Sequence, residues 1–142
     1  MEKIVFLDRD GTINEEVNYL HRTEDLKFLP GVPEALRLLK EAGFKLVVVT
    51  NQAGVARGYY TCADVEHLHA YMNEELKKYG AEIDAFYYCP HHPVHGIGIY
   101  KKVCQCRKPG TGMFLQAEER FRIDKAHSYM IGDKLLDVEA GV

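Results

Sequence analysis

Two aspartates separated by one residue follow the first apolar run of the chain. Residues 4–7 are Ile-Val-Phe-Leu, and Asp8, Asp10 and Gly11 come directly after them. A carboxylate in this position can attack phosphorus, provided that a divalent cation offsets the repulsion between two anions. The second carboxylate can protonate the departing alkoxide and then take a proton from the hydrolytic water. Taken alone the pair is a weak indication, because aspartates after a strand more often form a turn or a cap.

Three further sequence features strengthen the hypothesis of phosphoryl transfer. Thr50 and Asn51 follow a second apolar run and can bind phosphate oxygens, and Lys108 offers a cation before a helical segment. Asp133 follows a later apolar run and offers another oxygen donor for a hard metal such as Mg²⁺. Each has a simpler explanation by itself, namely a helix cap, a solvated charge or a turn residue. Their joint occurrence favours a phosphatase that uses Mg²⁺.

The segments that must position these residues alternate between strand and helix. Apolar runs at residues 4–7, 45–49, 83–88 and 127–131 predict strands, and helical patterns separate them. This alternation predicts an α/β fold with a parallel sheet and helices on both faces. Ligands of such sheets bind beyond the carboxyl ends of the strands. We therefore expect the polar residues that end the strands at one edge: Asp8, Thr50, Cys89 and Asp133.

The predicted helices carry their own start and stop residues. The first begins near Pro33 and ends before Gly43. The second begins at Thr61, with Asp64 as its capping-box partner, and ends before Gly80. The positions assigned to the three helices are Val32, Leu36, Leu39 and Ala42 in the first, Val65, Leu68, Met72, Leu76 and Tyr79 in the second, and Phe114, Leu115, Glu118 and Phe121, after Gly112, in the third.

These residues resemble the four motifs of the haloacid dehalogenase superfamily, and its phosphatase branch in particular. The motifs correspond in order to Asp8-x-Asp10-Gly11-Thr12, Thr50, Lys108 and Gly132-Asp133-x-x-x-Asp137. The resemblance covers essentially the whole chain. It implies a Rossmannoid three-layer sandwich with a central parallel sheet and no cap domain. Asp137 either supports the metal site or is only a charge on a helix face.

The resemblance also implies roles for the motif residues. Asp8 would be the nucleophile, and Asp10 would be the general acid and base that also binds Mg²⁺ through its backbone carbonyl. Asp8 and Asp133 would be carboxylate ligands of the metal. Thr50 and Lys108 would stabilise the transferring phosphoryl group. The second aspartate favours phosphatase over dehalogenase chemistry, because a halide leaving group needs no proton.

Three cysteines and a histidine form a second constellation. Cys89-x-His91 is followed, after twelve intervening residues, by Cys104-x-Cys106. Three thiolates and one imidazole form the ligand set of a structural tetrahedral Zn²⁺ site, with no position left open for water. His92 can replace His91 as a ligand, and the simpler alternative is a set of buried thiols near a surface histidine. The pattern predicts a zinc-bound loop.

Within the superfamily, this loop is similar to those of two groups of small-molecule phosphatases. One acts on a sugar bisphosphate and the other on histidinol phosphate, and the twelve-residue interval together with residues 49–58 favours the first. The resemblance implies that residues 16–19 line the sugar site, although Glu16 is as readily an exposed loop acid. Arg107 would bind the second charge of the substrate. The expected substrate contacts are Glu16, Val17, Asn18, Tyr19, Thr50, Asn51, Gln52, Ala53, Arg107, Lys108 and Lys134.

Composition and charge narrow the function further. The 142 residues, 46% hydrophobic and 27% charged, predict a single domain over residues 1–142, and we expect a C-terminal strand and helix to be missing beyond it. The net charge of -3 gives no electrostatic basis for binding nucleic acid. No apolar stretch reaches the length of a membrane span. We therefore expect a cytoplasmic enzyme with a small anionic substrate, which the resemblance implies is a sugar bisphosphate, and we expect it to be a monomer.

Two hypotheses from other functional classes stay open. A zinc-stabilised binding module that has lost catalysis would keep the loop, but it would not need both aspartates. A phosphoacceptor signalling domain would retain a phosphoryl group on Asp8, whereas a base at Asp10 favours its rapid hydrolysis.

Overall fold

The computed structural model describes residues 2–15, 20–90, 112–123 and 128–131. Several residues singled out in the sequence lie outside these ranges, so their expected roles stay predictions. They are Glu16, Val17, Asn18, Tyr19, His91, Cys104, Cys106, Arg107, Lys108, Asp133, Lys134 and Asp137.

The described strands form one parallel sheet. They are β1 (Ile4–Leu7), β2 (Lys45–Asn51), β3 (Ala85–Cys89) and β4 (Tyr129–Ile131), in the order β3-β2-β1-β4. Every neighbouring pair is parallel, which confirms the predicted sheet. β3 begins two residues later than predicted. Before it, Asp84 accepts a hydrogen bond from the N–H of Leu46 through its carboxylate (2.7 Å) and donates its own N–H to Leu46 O (2.8 Å).

Helices occupy the segments between these strands. They are α1 (Val32–Glu41), α2 (Ala53–Ala56), α3 (Cys62–Lys77) and α4 (Gly112–Arg120), and a 3₁₀ turn covers Thr23–Asp25. In the part of the chain that the structure describes, none of these helices combines the length and apolar character needed to cross a bilayer.

Alternate strand residues face opposite sides of the sheet. Val5 and Leu7 of β1 belong to the apolar cluster that contains Leu36 of α1 and Met72 and Leu76 of α3. The intervening residues face the other cluster, formed by Ile4, Phe6, Val47, Val49, Ala85, Cys89, Met113, Ala117 and Phe121. Helices therefore cover both faces of the sheet, and this packing holds the carboxyl ends of β1 and β2 side by side.

α3 begins as the sequence predicts. The hydroxyl of Thr61 accepts the N–H of Asp64 (3.1 Å), and the carboxylate of Asp64 accepts the N–H of Thr61 (2.9 Å). The first four stripe residues of this helix are buried, but the assignment of Tyr79 to the stripe is wrong, since its side chain is 47% exposed. α3 ends at Lys77, and the following turn leaves the helical face. Ala42 is likewise exposed, because α1 ends at Glu41.

Candidate active site

The described part of the predicted site lies at the carboxyl edge of the sheet. Asp8 follows β1 directly, and its side chain is only 6% exposed. Thr50 is buried one residue before the end of β2, and Asn51 pairs in register with Cys89 at the end of β3. The shared edge predicted for Asp8, Thr50 and Cys89 is therefore confirmed.

The segment after β1 is a tight turn that brings a second aspartate back to the site. Gly11 has a φ of 80°, a left-handed conformation that residues with a side chain rarely adopt. The carbonyl of Arg9 accepts the N–H groups of Thr12 (3.2 Å) and Ile13 (2.9 Å), and the N–H of Gly11 donates to Asn14 O (2.9 Å). The backbone therefore turns sharply at Gly11.

The carboxylate of Asp10 accepts hydrogen bonds from three side chains. Arg9 donates Nε and Nη2 to Oδ1 (3.2 and 3.0 Å), and it also donates Nη2 to Oδ2 (3.1 Å). Asn14 donates Nδ2 to Oδ1 (3.1 Å), and Gln52 donates Nε2 to Oδ2 (3.3 Å). The side chain of Asp10 stays 22% exposed. Its orientation is thus fixed from within the protein, while one side is open to a ligand.

Gln52 connects the acid after β1 to the hydroxyl of β2. Its Nε2 donates to Asp10 Oδ2 and to Thr50 Oγ1 (3.1 Å), and its Oε1 accepts from Arg9 Nη2 (3.2 Å) and from the Tyr60 hydroxyl (2.8 Å). These four bonds use the full hydrogen-bonding capacity of the amide. The contact of Gln52 with substrate stays a prediction, whereas its bonds within the site are observed.

Gly54 permits the approach of Tyr60 to Gln52. A Cβ atom at Gly54 would lie 2.1 Å from Cε1 of the Tyr60 ring, so any side chain there would displace the ring. Tyr60 also packs against Val55 and Val65 in a small apolar cluster. The glycine in the segment 49–58 therefore serves the bond between the Tyr60 hydroxyl and the Gln52 amide.

Arg9 is a completely buried charge beneath the site. Its side chain is only 1% exposed, and an unpaired buried charge would be strongly destabilising. Asp10 supplies the opposite charge, Leu20 O accepts from Nη2 (3.3 Å), and His69 Nε2 contacts Nη1 at 3.2 Å. Because a guanidinium has no acceptor and keeps its protons, His69 Nε2 must accept. The histidine proton is thereby assigned to Nδ1.

His69 reaches this cation from α3. Burial, followed by the positive charge of Arg9, lowers the pKa of His69 from 6.5 to about 3. The ring stacks on Phe86 with centroids 4.5 Å apart and meets Tyr88 edge-on at 6.1 Å. His69 is therefore a neutral acceptor at neutral pH, held by aromatic packing.

We expect protonation linked to His69 to destabilise the protein in mild acid. The unfolded histidine takes up a proton near pH 6.5, whereas the folded one resists protonation down to about pH 3. The contribution of His69 to the free energy of unfolding is therefore fully present above pH 6.5. It decreases as the pH falls from there towards 3. At about pH 5 the expected loss is of the order of 2 kcal/mol. Urea unfolding at about pH 7.5 and about pH 5 measures it.

Matched substitutions isolate this contribution from that of other titrating groups. His69→Gln keeps a neutral acceptor and should flatten the pH dependence of the unfolding free energy. His67→Gln, on the exposed side of the same helix, should leave the dependence as in the wild type. Equal pH dependence in wild type and His69→Gln would contradict the assignment.

Four residues of this site were not identified from the sequence: Arg9, Asn14, Tyr60 and His69. A sequence indication existed for His69, because it lies four positions after Val65 and three before Met72, on the buried face of α3. A histidine on such a face needs a polar partner. The sequence does not show that this partner is Arg9, which occupies the variable position of the first motif.

The donor groups present fit the expected metal in part. Asp8 offers carboxylate oxygens, the ligand type that Mg²⁺ prefers. The carboxylate of Asp10 is engaged by Arg9, Asn14 and Gln52, which fits a metal contact through its backbone carbonyl instead. Within residues 2–15, 20–90, 112–123 and 128–131, no three His, Cys, Asp or Glu side chains are grouped to hold a metal ion.

Comparison with known proteins gives consistent matches over nearly the whole chain. The family model described as polynucleotide kinase 3 phosphatase matches residues 3–135. A D-glycero-beta-D-manno-heptose-1,7-bisphosphate 7-phosphatase from Escherichia coli O6:H1 is 50% identical over 136 residues, which cover 96% of this chain and 72% of the relative.

Two solved structures share the fold. A protein classed as a haloacid dehalogenase-like phosphatase, from Mesorhizobium loti, has a TM-score of 0.92 and 35% identity, covering 99% of this chain and 67% of that one. The D,D-heptose 1,7-bisphosphate phosphatase from B. bronchiseptica, complexed with magnesium and phosphate, has a TM-score of 0.84 and 34% identity, covering 97% of this chain and 74% of that one.

The parallel sheet, the aspartates at its carboxyl edge and these matches define a haloacid dehalogenase-like phosphatase, that is, a phosphoric monoester hydrolase. The chain belongs to the polynucleotide kinase 3 phosphatase family, among the relatives of the D-glycero-beta-D-manno-heptose-1,7-bisphosphate 7-phosphatases. The resemblance stated from the sequence is confirmed.

Proposed function

We propose that this protein is a Mg²⁺-dependent phosphatase that hydrolyses the 7-phosphate of D-glycero-β-D-manno-heptose 1,7-bisphosphate through an aspartyl phosphate, in the synthesis of nucleotide-activated heptose. The names of relatives that are identical at about half of the aligned residues support the substrate and its anomer. The magnesium and phosphate bound by the B. bronchiseptica enzyme support the metal.

The observation that carries the proposal is the shared amide of Gln52. Its Nε2 lies 3.3 Å from Asp10 Oδ2 and 3.1 Å from Thr50 Oγ1. The acid of the first motif and the hydroxyl of the second therefore both accept from one amide nitrogen, and Asp8 directly follows the adjoining strand β1. A phosphoryl group held beside Asp8 would lie within the same small site.

In the first step the carboxylate oxygen of Asp8 attacks phosphorus, and the bond from phosphorus to the sugar oxygen breaks. Asp10 gives its proton to that oxygen as it leaves. The Asp10 carboxyl group is held in place by donors within the protein, and its exposed side can reach a bound substrate. This arrangement suits the proton transfer.

In the second step Asp10 takes a proton from water, whose oxygen attacks the phosphorus of the aspartyl phosphate. The bond between phosphorus and the Asp8 oxygen breaks, inorganic phosphate leaves and the Asp8 carboxylate is restored. Thr50 donates to a phosphoryl oxygen in both steps. A bound Mg²⁺ would neutralise charge on the phosphoryl oxygens and lower the repulsion between the two anions.

The residues outside the described ranges complete the proposal. Asp133 is assigned as a Mg²⁺ ligand with Asp8, which the hydrogen bond from Asp8 N to Ile131 O (3.0 Å) supports, because the chain leaves β4 next to Asp8. Lys108 is assigned to the phosphoryl oxygens, and Arg107 to the second phosphate. The remaining proposed substrate contacts are Glu16, Val17, Asn18, Tyr19, Asn51, Gln52, Ala53 and Lys134.

We also propose a structural Zn²⁺ bound by Cys89, His91, Cys104 and Cys106, in a single three-layer domain with no cap. The donor set has the composition of a closed tetrahedral site. Cys89 supports the placement, since it ends β3 at full burial and its carbonyl accepts the N–H of Gln52 (2.7 Å). The zinc loop would thus start beside the catalytic network. We infer that the enzyme is monomeric and cytoplasmic.

Phosphate release from competing substrates tests the proposed function. The panel contains both anomers of heptose 1,7-bisphosphate, histidinol phosphate and a 3′-phosphorylated oligonucleotide, each with and without Mg²⁺. We expect the highest kcat/KM for the β anomer, and phosphorus NMR of the product should show loss of the 7-phosphate.

Each other result assigns a different function. A preference for histidinol phosphate or for the oligonucleotide would overturn the proposed substrate while keeping the phosphatase chemistry. Absence of Mg²⁺-dependent release from every compound would overturn the enzymatic proposal and favour a binding module.

A further inference from the structure

Arg9 combines full burial with contacts that converge on one acid. Among the residues that the structure describes, the carboxylate that Arg9 contacts is that of Asp10. Arg9 donates to it through Nε and Nη2. Two donors of a planar group on one carboxylate fix both the position and the tilt of that carboxylate. The geometry of Asp10 is therefore set by whatever holds the guanidinium.

The third nitrogen of the guanidinium, Nη1, is held by His69 rather than by another acid. Its contact with Nε2 is 3.2 Å long and buried. A neutral imidazole accepts this N–H without adding a negative charge, so Asp10 does not compete with a second anion for the ion pair with Arg9. The stacking of the ring on Phe86, with centroids 4.5 Å apart, limits its rotation. α3 thereby provides a rigid support behind the cation.

The two oxygens of Asp10 are not equivalent. Oδ1 accepts from Arg9 Nε, Arg9 Nη2 and Asn14 Nδ2, whereas Oδ2 accepts from Arg9 Nη2 and, at 3.3 Å, from Gln52 Nε2. Oδ2 accepts two hydrogen bonds and Oδ1 accepts three, so a proton on Oδ2 displaces fewer of them. Oδ2 is the oxygen suited to exchange a proton with a ligand.

We propose that Arg9 and His69 are positioning residues for Asp10, with the imidazole fixing the guanidinium and the guanidinium fixing the carboxylate for proton transfer at Oδ2. The inference rests on the proposed function, in which Asp10 is the acid and base. The proton passes from Oδ2 to the sugar oxygen as the bond from that oxygen to phosphorus breaks. It returns from water to Oδ2 as the aspartyl phosphate is hydrolysed.

Substitutions at position 69 test this role with the heptose bisphosphate as substrate. His69→Leu removes the acceptor and should lower kcat by about 10- to 100-fold with KM nearly unchanged, because misplacement affects the transition state. His69→Gln offers Oε1 in place of Nε2 and should restore most of kcat. His67→Leu, the same change on the exposed face of α3, should leave both constants unaltered.

The leaving group supplies a second readout that a merely structural role would not change. p-Nitrophenolate leaves without a proton, so His69→Leu should lower kcat/KM for p-nitrophenyl phosphate by less than about threefold. Asp10→Asn should show the same contrast between the two substrates. Equal losses on both substrates, an unchanged kcat in His69→Leu, or failure of His69→Gln to restore it would overturn the inference.

Two provisions keep the outcomes separate. If circular dichroism shows that His69→Leu does not fold, Arg9→Lys, which keeps the charge but not the planar fork, is measured in the same way. A wild-type enzyme that releases no phosphate from the heptose bisphosphate would refute the proposed function. Variants that lose activity equally on both substrates would refute only the positioning role.

Discussion

Asp8→Asn is expected to abolish turnover while leaving the fold intact. An amide cannot form the aspartyl phosphate, so kcat should fall by roughly 10⁴-fold or more. The hydrogen bond from Asp8 N to Ile131 O (3.0 Å) is made by the backbone, so the substitution leaves it in place. Phosphate release, together with mass spectrometry of acid-quenched enzyme for a phosphorylated Asp8, measures the effect.

Asp25→Asn is the matched control for this substitution. Asp25 ends the 3₁₀ turn, and its side chain is 40% exposed. Its Oδ2 accepts a hydrogen bond from Arg22 Nε (3.0 Å). We expect it to keep wild-type activity and the phosphoenzyme. Retained turnover in Asp8→Asn would rule out the covalent route, and a long-lived phosphoenzyme in the wild type would favour the signalling domain.

The sheet and the edge that carries the site were predictable because each depends on local pattern. β1 matches residues 4–7 of the prediction, and the capping box of α3 lies where Thr61 and Asp64 indicate. Strand ends were predicted less well: β3 begins at Ala85 rather than at residue 83, and Asp84 before it pairs with the backbone of Leu46. A side chain that satisfies a distant backbone group leaves no periodic pattern in the sequence.

The contacts that orient Asp10 were not predictable in the same way. Arg9 and His69 are 60 positions apart, and Arg9 and Gln52 are 43 apart. The sequence shows which residues are polar, but the pairing of buried polar groups is decided by how α3 packs on the sheet. Residue types in the motif therefore predicted the chemistry, whereas the fold determines which groups support it.

Asp10→Asn has the second largest expected effect. Loss of the acid and base should lower kcat for the sugar bisphosphate by roughly 10²- to 10⁴-fold. The substitution also removes the charge that faces buried Arg9, so the unfolding free energy should fall by about 1–3 kcal/mol. Steady-state phosphate release and urea unfolding of the same preparation measure both quantities.

Asp84→Asn separates these two effects, because Asp84 is a carboxylate in a closely similar setting at the opposite edge of the sheet. Its side chain is 20% exposed against 22% for Asp10, and it pairs with Lys40 (3.2 Å) and the N–H of Leu46 (2.7 Å). We expect a comparable loss of stability with kcat within about twofold of wild type. An Asp10→Asn enzyme that stays within tenfold of wild-type kcat, or an Asp84→Asn enzyme that loses as much, would remove Asp10 from the proton transfer. A large loss of kcat in Asp10→Asn without one in Asp84→Asn connects the carboxylate that faces the buried cation Arg9 to the chemistry at phosphorus.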